Sequence, residues 1–554
     1  MTPMLHHLLI APIVLPLVAA SIMLLMGERW RRVKIGINLA SILGLLALTW
    51  YLLQQLDQGH FGQDGTAVAV YLLGNWPSWL GIVLAVDRLS LVMVLLSSAL
   101  GLAVLVYSVA RWDRAGAHFH PMLQFLLMGL NGAFLTGDLF NLFVFFELLL
   151  AASYGLILHG SGSMRIRAGL HYITVNLAAS SLFLIGVSLM YSVTGTLSMA
   201  DMAAGVGSLA SQERMLFEAG AAVLGVAFLV KAAVWPLNFW LPSAYAAACP
   251  PVAAMFVIMT KVGVYSILRV WTLLFGPEAG ESMLFGADWL LYGGMATIVF
   301  GAIGILSSQD LARMAGFSVL VSSGTLLAAV GFAEGQVTGA ALFYLVVSTL
   351  SVAAFFMLIE LVERGRTPAA AMLALTLEAF GAANPDPVDG PEVEVVGVAI
   401  PAAMAFLGLS FVFCALLMAG LPPLSGFIAK FALLSAVLNP LGLQENSQAL
   451  ATGGTAQWIM LGLLIASGLF VVISMTRSGI RIFWAPQGRV VPRLRLMEAA
   501  PVGGLLAVCI VLTFYSGPVM RYMDDAARSL YAPQEYIQAV QTAPLVVRSE
   551  GGQP

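Results

Sequence analysis

Charged side chains are scarce in this 554-residue sequence: only 10% of its residues are Asp, Glu, Lys or Arg, and only four are lysines. Apolar residues make up 60% of the sequence, and the mean hydropathy is +0.93. This composition excludes a water-soluble globular protein. The net charge of −3 says nothing about nucleic acid, but no basic stripe is present to hold any, so no nucleic-acid partner is expected.

Cysteine is rare as well. Cys249, Cys414 and Cys509 are widely separated, and no two cysteines form a C-x-x-C pair. This spacing argues against an iron–sulfur cluster or a structural zinc site in the chain. We therefore expect no bound cofactor and no metal.

Long apolar runs recur along nearly the whole sequence. Runs of about 20 residues are typical of membrane-spanning helices, and they predict an all-α polytopic membrane protein with fourteen spans in one bundle. The first run lacks the cationic segment of a signal peptide and is interpreted as a retained helix. The twelfth is too long for one crossing and predicts a kink or an unwound turn. The predicted spans are 4–26, 35–53, 89–109, 121–137, 139–159, 168–191, 217–241, 250–274, 284–306, 311–333, 338–362, 398–438, 456–476 and 498–520.

Positive charges are unevenly distributed among the predicted loops. If residues 27–34 are cytoplasmic, 16 Lys and Arg side chains lie in cytoplasmic loops, and only 6 lie in outward loops or the tail. The positive-inside rule then predicts that both termini face the periplasm. The Pro- and Gly-rich loop 364–397 is predicted to be irregular. The tail from Arg521 has helical spacing of apolar residues, which indicates a helix at the membrane interface or on a partner.

Three of the four lysines, Lys231, Lys261 and Lys430, interrupt long apolar runs, whereas Lys34 is assigned to a basic loop. A charge at the centre of a membrane helix costs roughly 2.5–3.5 kcal/mol. Three such positions therefore indicate a functional site. For Lys261 the alternative is an ammonium group that only satisfies the carbonyl groups of a broken helix.

Helix-breaking residues accompany two of these lysines. Pro236 follows Lys231, and Pro422, Pro423 and Gly426 precede Lys430. Broken helices are tolerated at membrane depth only where protein or a water-filled cavity satisfies the freed backbone groups. Paired breaks in the two halves of a chain predict a transport site near the membrane midplane.

Glu147 lies too deep in the fifth predicted span to reach the membrane surface. Burial disfavours a charged carboxylate and a nearby ammonium favours it. We therefore expect Glu147 to face Lys231, in a pair whose proton occupancy depends on its neighbours. The alternative is a static ion pair that only fixes the packing of two helices.

Other polar residues could connect the lysines. Ser348, Thr349 and Ser351 lie in the eleventh span and could carry water between Lys261 and Lys430, as could Thr325 in the tenth, although hydroxyls in membrane helices often serve only packing. His171, near the cytoplasmic end of the sixth span, could take up protons or could be an ordinary interfacial histidine.

Two stretches of the sequence resemble a known family. Lys231-Ala-Ala-Val-Trp-Pro-Leu-Asn-Phe-Trp-Leu-Pro242 and Thr260-Lys261-Val-Gly-Val-Tyr265 resemble the signature of the antiporter-like membrane subunits. These subunits occur in respiratory complex I, in membrane hydrogenases and in Mrp/Mnh/Pha multisubunit monovalent cation/proton antiporters. The stretch Leu73-Gly-Asn-Trp-Pro77, the segment 81–90, the length and Lys430 resemble the D subunit of the Mrp type.

The resemblance implies a proton relay of Glu147, Lys231, Lys261 and Lys430. It also implies two inverted five-helix repeats, with helices 7 and 12 broken. The implied divisions are 1–110 for helices 1–3 and the outward loop, 121–275 for the first repeat, 284–476 for the second, and 477–554 for helix 14 and the tail.

This sequence departs from the family pattern in two ways. Asn238 and Tyr245 stand where many complex I relatives have histidines. The eleventh span offers only hydroxyl groups where relatives often have a histidine or lysine, so the link between Lys261 and Lys430 would depend on water.

The function implied by the resemblance is a secondary transporter, without enzymatic activity of its own, in a bacterial inner membrane. It would exchange internal Na+ or K+ for external protons. Its expected partners are the other subunits of a hetero-oligomeric antiporter, the lipid bilayer, a monovalent cation and protons. Two alternatives stay open: a proton-pumping subunit of a complex I-like or hydrogenase-like redox complex, and an assembly scaffold that does not transport.

Overall fold

The protein is described by a computed structural model that covers residues 6–60, 68–364, 402–439, 454–484 and 494–544. Helices account for most of the described chain. The first half contains α1 (Ala11–Leu25), α2 (Arg31–Asp57), β1 (Ala69–Leu72), β2 (Val83–Val86), α3 (Arg88–Val109), α4 (Phe119–Leu135), α5 (Leu139–Ile157), α6 (Ser163–Thr194), α7 (Met199–Val206), α8 (Ser211–Lys231), α9 (Leu241–Ala247) and α10 (Pro250–Leu274). The second half contains α11 (Ala287–Ser307), α12 (Leu311–Gly331), α13 (Gly335–Glu363), α14 (Ala402–Ala419), α15 (Ser425–Leu438), α16 (Thr455–Gly479), α17 (Leu496–Phe514), α18 (Ser516–Tyr531) and α19 (Pro533–Gln541).

Eleven helices among the described residues are long and apolar enough to cross a membrane, and α1, α4 and α15 are shorter apolar helices. The eleven do not include α8, whose sequence carries Glu213, Arg214 and Glu218 as well as Lys231. The chain is therefore a multi-pass, mostly helical membrane protein, which confirms the predicted fold class. The count of fourteen crossings and the two inverted repeats stay predictions.

The helix starts follow from local sequence. The Asp87 side chain caps α3 by accepting a hydrogen bond from the backbone N–H of Ser90. Asp138 caps α5 in the same way through Asn141. Side-chain acceptors at these positions satisfy N–H groups that have no partner inside the helix. Pro250 and Pro251 begin α10, where a missing N–H costs nothing.

Both predicted breaks are present. The predicted seventh span, 217–241, is helical only as far as the end of α8 at Lys231, and the short helix α9 begins at Leu241, where the prediction ended. The predicted twelfth span is divided in two: α14 ends at Ala419 and α15 begins at Ser425. Proline cannot donate the backbone hydrogen bond that continues a helix. Pro236 lies in the first gap, and Pro422 and Pro423 lie in the second.

The core of the bundle is formed by α10, α12 and α13, which contact one another. All but the first residue of α10 are buried. Because α10 carries Lys261, this arrangement holds one of the four lysines at the centre of the molecule, with 0% of its surface exposed.

The segment that contains Lys34 differs from its prediction. Lys34 lies in the first turn of α2 and is 1% exposed, so its assignment to a basic loop was wrong. Its Nζ atom lies 2.9 Å from Glu28 Oε1. This ion pair compensates the charge and allows the ammonium group to be buried.

Two short strands were not expected from the apolar runs. β1 and β2 form an antiparallel hairpin with Ala69 opposite Val86. All four residues of β2 are buried, and Leu84 also bridges to Thr136 beside the end of α4. The hairpin therefore ties the segment between α2 and α3 to the helical bundle.

The tail forms two helices whose apolar faces contact this chain. Met523 and Leu530 are buried on α18, and Tyr536 and Val540 are buried on α19. α18 packs against α13, and α19 packs against α7. The predicted helical spacing thus corresponds to real helices.

Candidate functional site

The break in the twelfth span holds Lys430. The carbonyl groups of Met418 and Ala419 would accept hydrogen bonds from residues 422 and 423 in a continuous helix, but both of those residues are prolines. The Lys430 ammonium group replaces the missing donors. Its Nζ atom lies 3.1 Å from the Met418 oxygen and 2.9 Å from the Ala419 oxygen.

Glycines allow this close packing around Lys430. Gly420 adopts a φ of +76°, and a Cβ atom there would lie 2.5 Å from Cδ of Lys430. A Cβ atom at Gly426 would lie 2.1 Å from the Leu417 oxygen, and one at Gly468 on α16 would lie 2.6 Å from the Ala419 oxygen. These separations are shorter than real side-chain contacts, so side chains at these positions would displace the break or the ammonium group.

The break in the seventh span places Lys231 at the last position of α8. Its Nζ atom donates to the backbone oxygen of Asn176 at 3.5 Å, and it lies 5.8 Å from the centre of the Phe146 ring. Lys231 is 6% exposed. A single long hydrogen bond and a weak cation–π contact hold the ammonium group only loosely.

Glu147 lies on α5, next in sequence to Phe146, whose ring centre is 5.8 Å from the Lys231 Nζ atom. The two side chains do not form a direct ion pair, although the sequence led us to expect one. Among the described residues, the buried Oε1 atom of Glu147 has no hydrogen-bond partner, and neither does the hydroxyl of Tyr154. An unsatisfied carboxylate oxygen differs from what a static, fully paired salt bridge would show.

Lys261 is bound by hydroxyl groups of α12. Its Nζ atom donates to Ser322 Oγ at 2.8 Å and to Ser323 Oγ at 3.4 Å. Ser322 Oγ lies 2.9 Å from Ser348 Oγ on α13. A chain of hydrogen bonds thus runs from Lys261 through Ser322 to Ser348 on α13.

A cavity continues from the end of this hydrogen-bond chain to Lys430. It has a volume of about 30 Å³, and its lining includes Ser322, Ser348, Ser351, Gly426 and Lys430. One water molecule needs roughly 10–15 Å³ on this measure, together with polar partners. The cavity therefore has room for about two waters between the Lys261 hydroxyl chain and the Lys430 ammonium group.

The other residues selected from the sequence occupy separate positions. Thr349 donates its hydroxyl to the Leu345 oxygen at 2.6 Å and does not line the cavity. Thr325 donates to Val321 within its own helix. His171 is exposed on α6, with its ring 5.5 Å from that of Phe239.

Ser322 and Ser323 are the functional candidates that the sequence analysis missed. They form a hydroxyl pair inside the apolar run of α12. A pair of hydroxyls in a span next to a lysine-bearing span is the signal that could have identified them. Their role depends on α10 and α12 packing together, which the sequence does not state.

A second charged cluster lies near the C-terminal end of α10. Arg269 donates to Asp87 at 2.7 Å, and its guanidinium carbon lies 5.5 Å from the centre of the Tyr536 ring. Asp138, the N-cap of α5, follows Gly137, where a Cβ atom would lie 3.0 Å from the Tyr536 hydroxyl. Burial raises the pKa of the Asp138 carboxyl to about 6. This group therefore changes protonation near neutral pH.

Comparison with known proteins gives a consistent result. Residues 136–379 match the family model described as the transmembrane region of NADH:quinone oxidoreductase and Mrp antiporters. A probable D subunit of a K+/H+ antiporter from Rhizobium meliloti (strain 1021) is 55% identical, covering 98% of this chain and 99% of the relative. The D subunit of a Na+/H+ antiporter from Alkalihalophilus pseudofirmus is 32% identical over 97% of this chain and 99% of the relative.

This chain belongs to the family of antiporter D subunits. The solved structure of the Mrp complex from Dietzia sp. DQ12-45-1b contains a chain with the same fold, at a TM-score of 0.78 and 26% identity. The match covers 98% of this chain and 100% of that chain. The region matched by the family model contains Glu147, Lys231, Lys261 and the serines of α12 and α13, whereas Lys430 lies beyond it.

Proposed function

We propose that this chain carries protons for a multisubunit monovalent cation/proton antiporter in a bacterial inner membrane, with both termini in the periplasm. It acts with the other subunits of the complex, exchanges internal K+ or Na+ for external protons, and uses the proton gradient as its energy source. The relative with the higher identity is named a K+/H+ antiporter subunit, which favours K+.

The observation that carries this proposal is the polar path through the core. Lys261 donates to Ser322, Ser322 bonds Ser348, and the cavity that follows reaches Lys430. Hydroxyls and waters can pass a proton because each both donates and accepts hydrogen bonds. Water in the cavity would thus provide the link that the eleventh span lacks in the form of a histidine or lysine.

In this mechanism, the loosely held Lys231 ammonium exchanges its proton under the influence of Glu147. The charge state of Lys231 affects Lys261 on α10, because α10 packs directly against the end of α8. Gly263, two residues after Lys261, marks this contact: a Cβ atom at Gly263 would lie 2.6 Å from the Ala232 nitrogen. Protons then move along the hydroxyl chain and the cavity to Lys430. Electrostatic effects between such groups are strong because little water screens them.

We further propose that residues 121–275 and 284–476 are the two inverted repeats. The packing around the breaks supports this division. In each half, a glycine on the helix after the broken span lies against the backbone at the break, namely Gly263 on α10 and Gly468 on α16.

The test is cation-dependent proton movement in proteoliposomes that contain the complete complex. Lys231→Ala should reduce exchange to background in both KCl and NaCl, whereas the control Arg528→Ala, an exposed change on α18, should not. Exchange at the wild-type rate in a well-assembled Lys231→Ala complex would overturn the proposed relay.

The family model also covers redox-driven proton pumps, so purification must address that alternative. Small membrane antiporter subunits should co-purify with this chain. Flavin and iron–sulfur subunits in the purified complex would instead assign the chain to a redox-driven pump. Full exchange in a variant that lacks Lys231, Lys261 and Lys430 would indicate an assembly scaffold.

A further inference from the structure

An apolar groove of about 820 Å³ lies over α3, between α2 and α17, and its lining includes none of Lys231, Lys261 and Lys430. Each helix contributes one face to it, because the lining residues recur every three or four positions. Leu46, Trp50 and Leu53 line it on α2, and Gly504 and Val508 line it on α17. Trp50 is 58% exposed and Val508 is 45% exposed, so the groove opens to the exterior.

One end of the groove is polar. Asp57 and Tyr522 line this end, and Arg88 donates from Nε to Asp57 at 3.1 Å. The Arg88 guanidinium carbon lies 5.7 Å from the centre of the Tyr522 ring. The buried Tyr522 hydroxyl has no hydrogen-bond partner in the described part of the chain. An apolar cleft with a few polar groups at one end matches an amphiphilic ligand.

The length of the groove identifies the kind of amphiphile. Leu46 and Asp57 mark its extent on α2, which is about 16 Å at the rise of an α-helix. Val92 and Val106 mark about 21 Å on α3. The hydrocarbon core of a bilayer is about 30 Å thick, so these lengths correspond to roughly one leaflet.

The groove is smaller than a whole transmembrane helix of another subunit. Such a helix is about 30 Å long and 10 Å wide, a volume on the order of 2,000 Å³. The groove is less than half that size. Its volume lies within the range of about 300–1,000 Å³ that is usual for small-ligand sites.

We propose that this groove binds one diacyl phospholipid with a zwitterionic headgroup. The acyl chains lie between α2 and α17, against α3. The phosphate lies at the Arg88 guanidinium group, which has further N–H donors beyond the one used for Asp57. The headgroup ammonium lies at the Asp57 carboxylate, and the neighbouring opposite charges of Arg88 and Asp57 match the two charges of the headgroup. The lipid connects α2 to α17, both of which pack on α3.

The test uses a variant that fills the groove. Gly504 is exposed, and a Cβ atom there would meet nothing within 4 Å. Gly504 lines the groove and has room for a Cβ atom, so Gly504→Phe adds a bulky ring to the groove wall. Gly462 on α16 has equally open surroundings, so Gly462→Phe is the matched control. The delipidated complete complex is incubated with dioleoylphosphatidylethanolamine, and native mass spectrometry counts the lipids retained by this subunit.

Wild type and Gly462→Phe should each retain one lipid, and Gly504→Phe should bind it at least tenfold more weakly. Arg88→Gln should weaken phosphatidylethanolamine and phosphatidylglycerol alike. Asp57→Asn should weaken only phosphatidylethanolamine, because phosphatidylglycerol has no ammonium group. Arg88→Gln leaves the groove walls intact, so it tests the proposal even if Gly504→Phe fails to assemble.

Unchanged retention in Gly504→Phe would overturn the site. Wild-type affinity for phosphatidylglycerol equal to that for phosphatidylethanolamine would overturn the zwitterionic headgroup. Efficient cross-linking of Gly504→Cys to another subunit in the intact complex would show a protein occupant and would also overturn the proposal.

Discussion

The hydrogen bond between Lys261 and Ser322 offers the sharpest test of the proposed relay. Ser322 Oγ is the nearest acceptor of the Lys261 ammonium group, at 2.8 Å, and it also bonds Ser348. Its neighbour Ser323 lies at 3.4 Å, near the limit of a hydrogen bond. Both serines are on α12 and both are almost completely buried. Ser322→Ala and Ser323→Ala therefore form a matched pair.

The expected size of the effect follows from this geometry. A hydrogen bond to a charged group contributes about 1.5–3 kcal/mol. If the bond supports the step that limits exchange, its loss slows exchange roughly 10- to 100-fold. Ser323→Ala removes a longer and weaker contact, so we expect at most about a threefold effect from a loss of roughly 0.5 kcal/mol.

The assay is cation-dependent proton flux in proteoliposomes, normalised to the amount of assembled complex. Ser348→Ala should also slow exchange, because it breaks the next link. The double variant Ser322→Ala/Ser348→Ala should be no slower than Ser322→Ala alone, since the two hydroxyls act in series. Wild-type flux in an assembled Ser322→Ala complex, or equal slowing by Ser323→Ala, would refute a relay through Ser322.

Three further outcomes are expected. Lys430→Ala should stop exchange, and Lys430→His or Lys430→Glu should retain part of it with a changed pH profile; full activity in Lys430→Arg, with none in the other two, would rule out proton transfer at this position, because arginine keeps its proton. Cysteine labelling should reach Glu550→Cys from the periplasm and Val490→Cys only after the cytoplasmic side is opened; labelling of both from one side would disprove the topology. Asp138→Asn should make thermal stability less dependent on pH between 4 and 7. The folded-state pKa of Asp138 is about 6 against an ordinary 3.8, so ionisation of the wild-type carboxyl destabilises the fold by at most about 3 kcal/mol as pH rises. An unchanged pH dependence of Tm in the variant would contradict this.

The sequence alone determined the class of the protein and the positions of its breaks. Apolar runs of about 20 residues have few structural alternatives, because every backbone polar group in a bilayer must be satisfied within a helix or a closed barrel. The lysines at 231, 261 and 430 could be identified as site candidates from the sequence, because charges in such apolar runs are costly. Pro236, Pro422 and Pro423 marked the breaks because proline lacks the N–H that continues a helix.

The tertiary structure decided which polar groups meet. No periodicity in the sequence states that Ser322 on α12 lies between Lys261 on α10 and Ser348 on α13. That contact depends on how three helices are rotated and packed, and apolar spans with nearly uniform surfaces do not encode their rotation in a pattern. The pairing of Lys34 with Glu28, the absence of a direct ion pair between Glu147 and Lys231, and the groove beside α17 have the same origin. Each depends on distances between side chains that only the folded bundle sets.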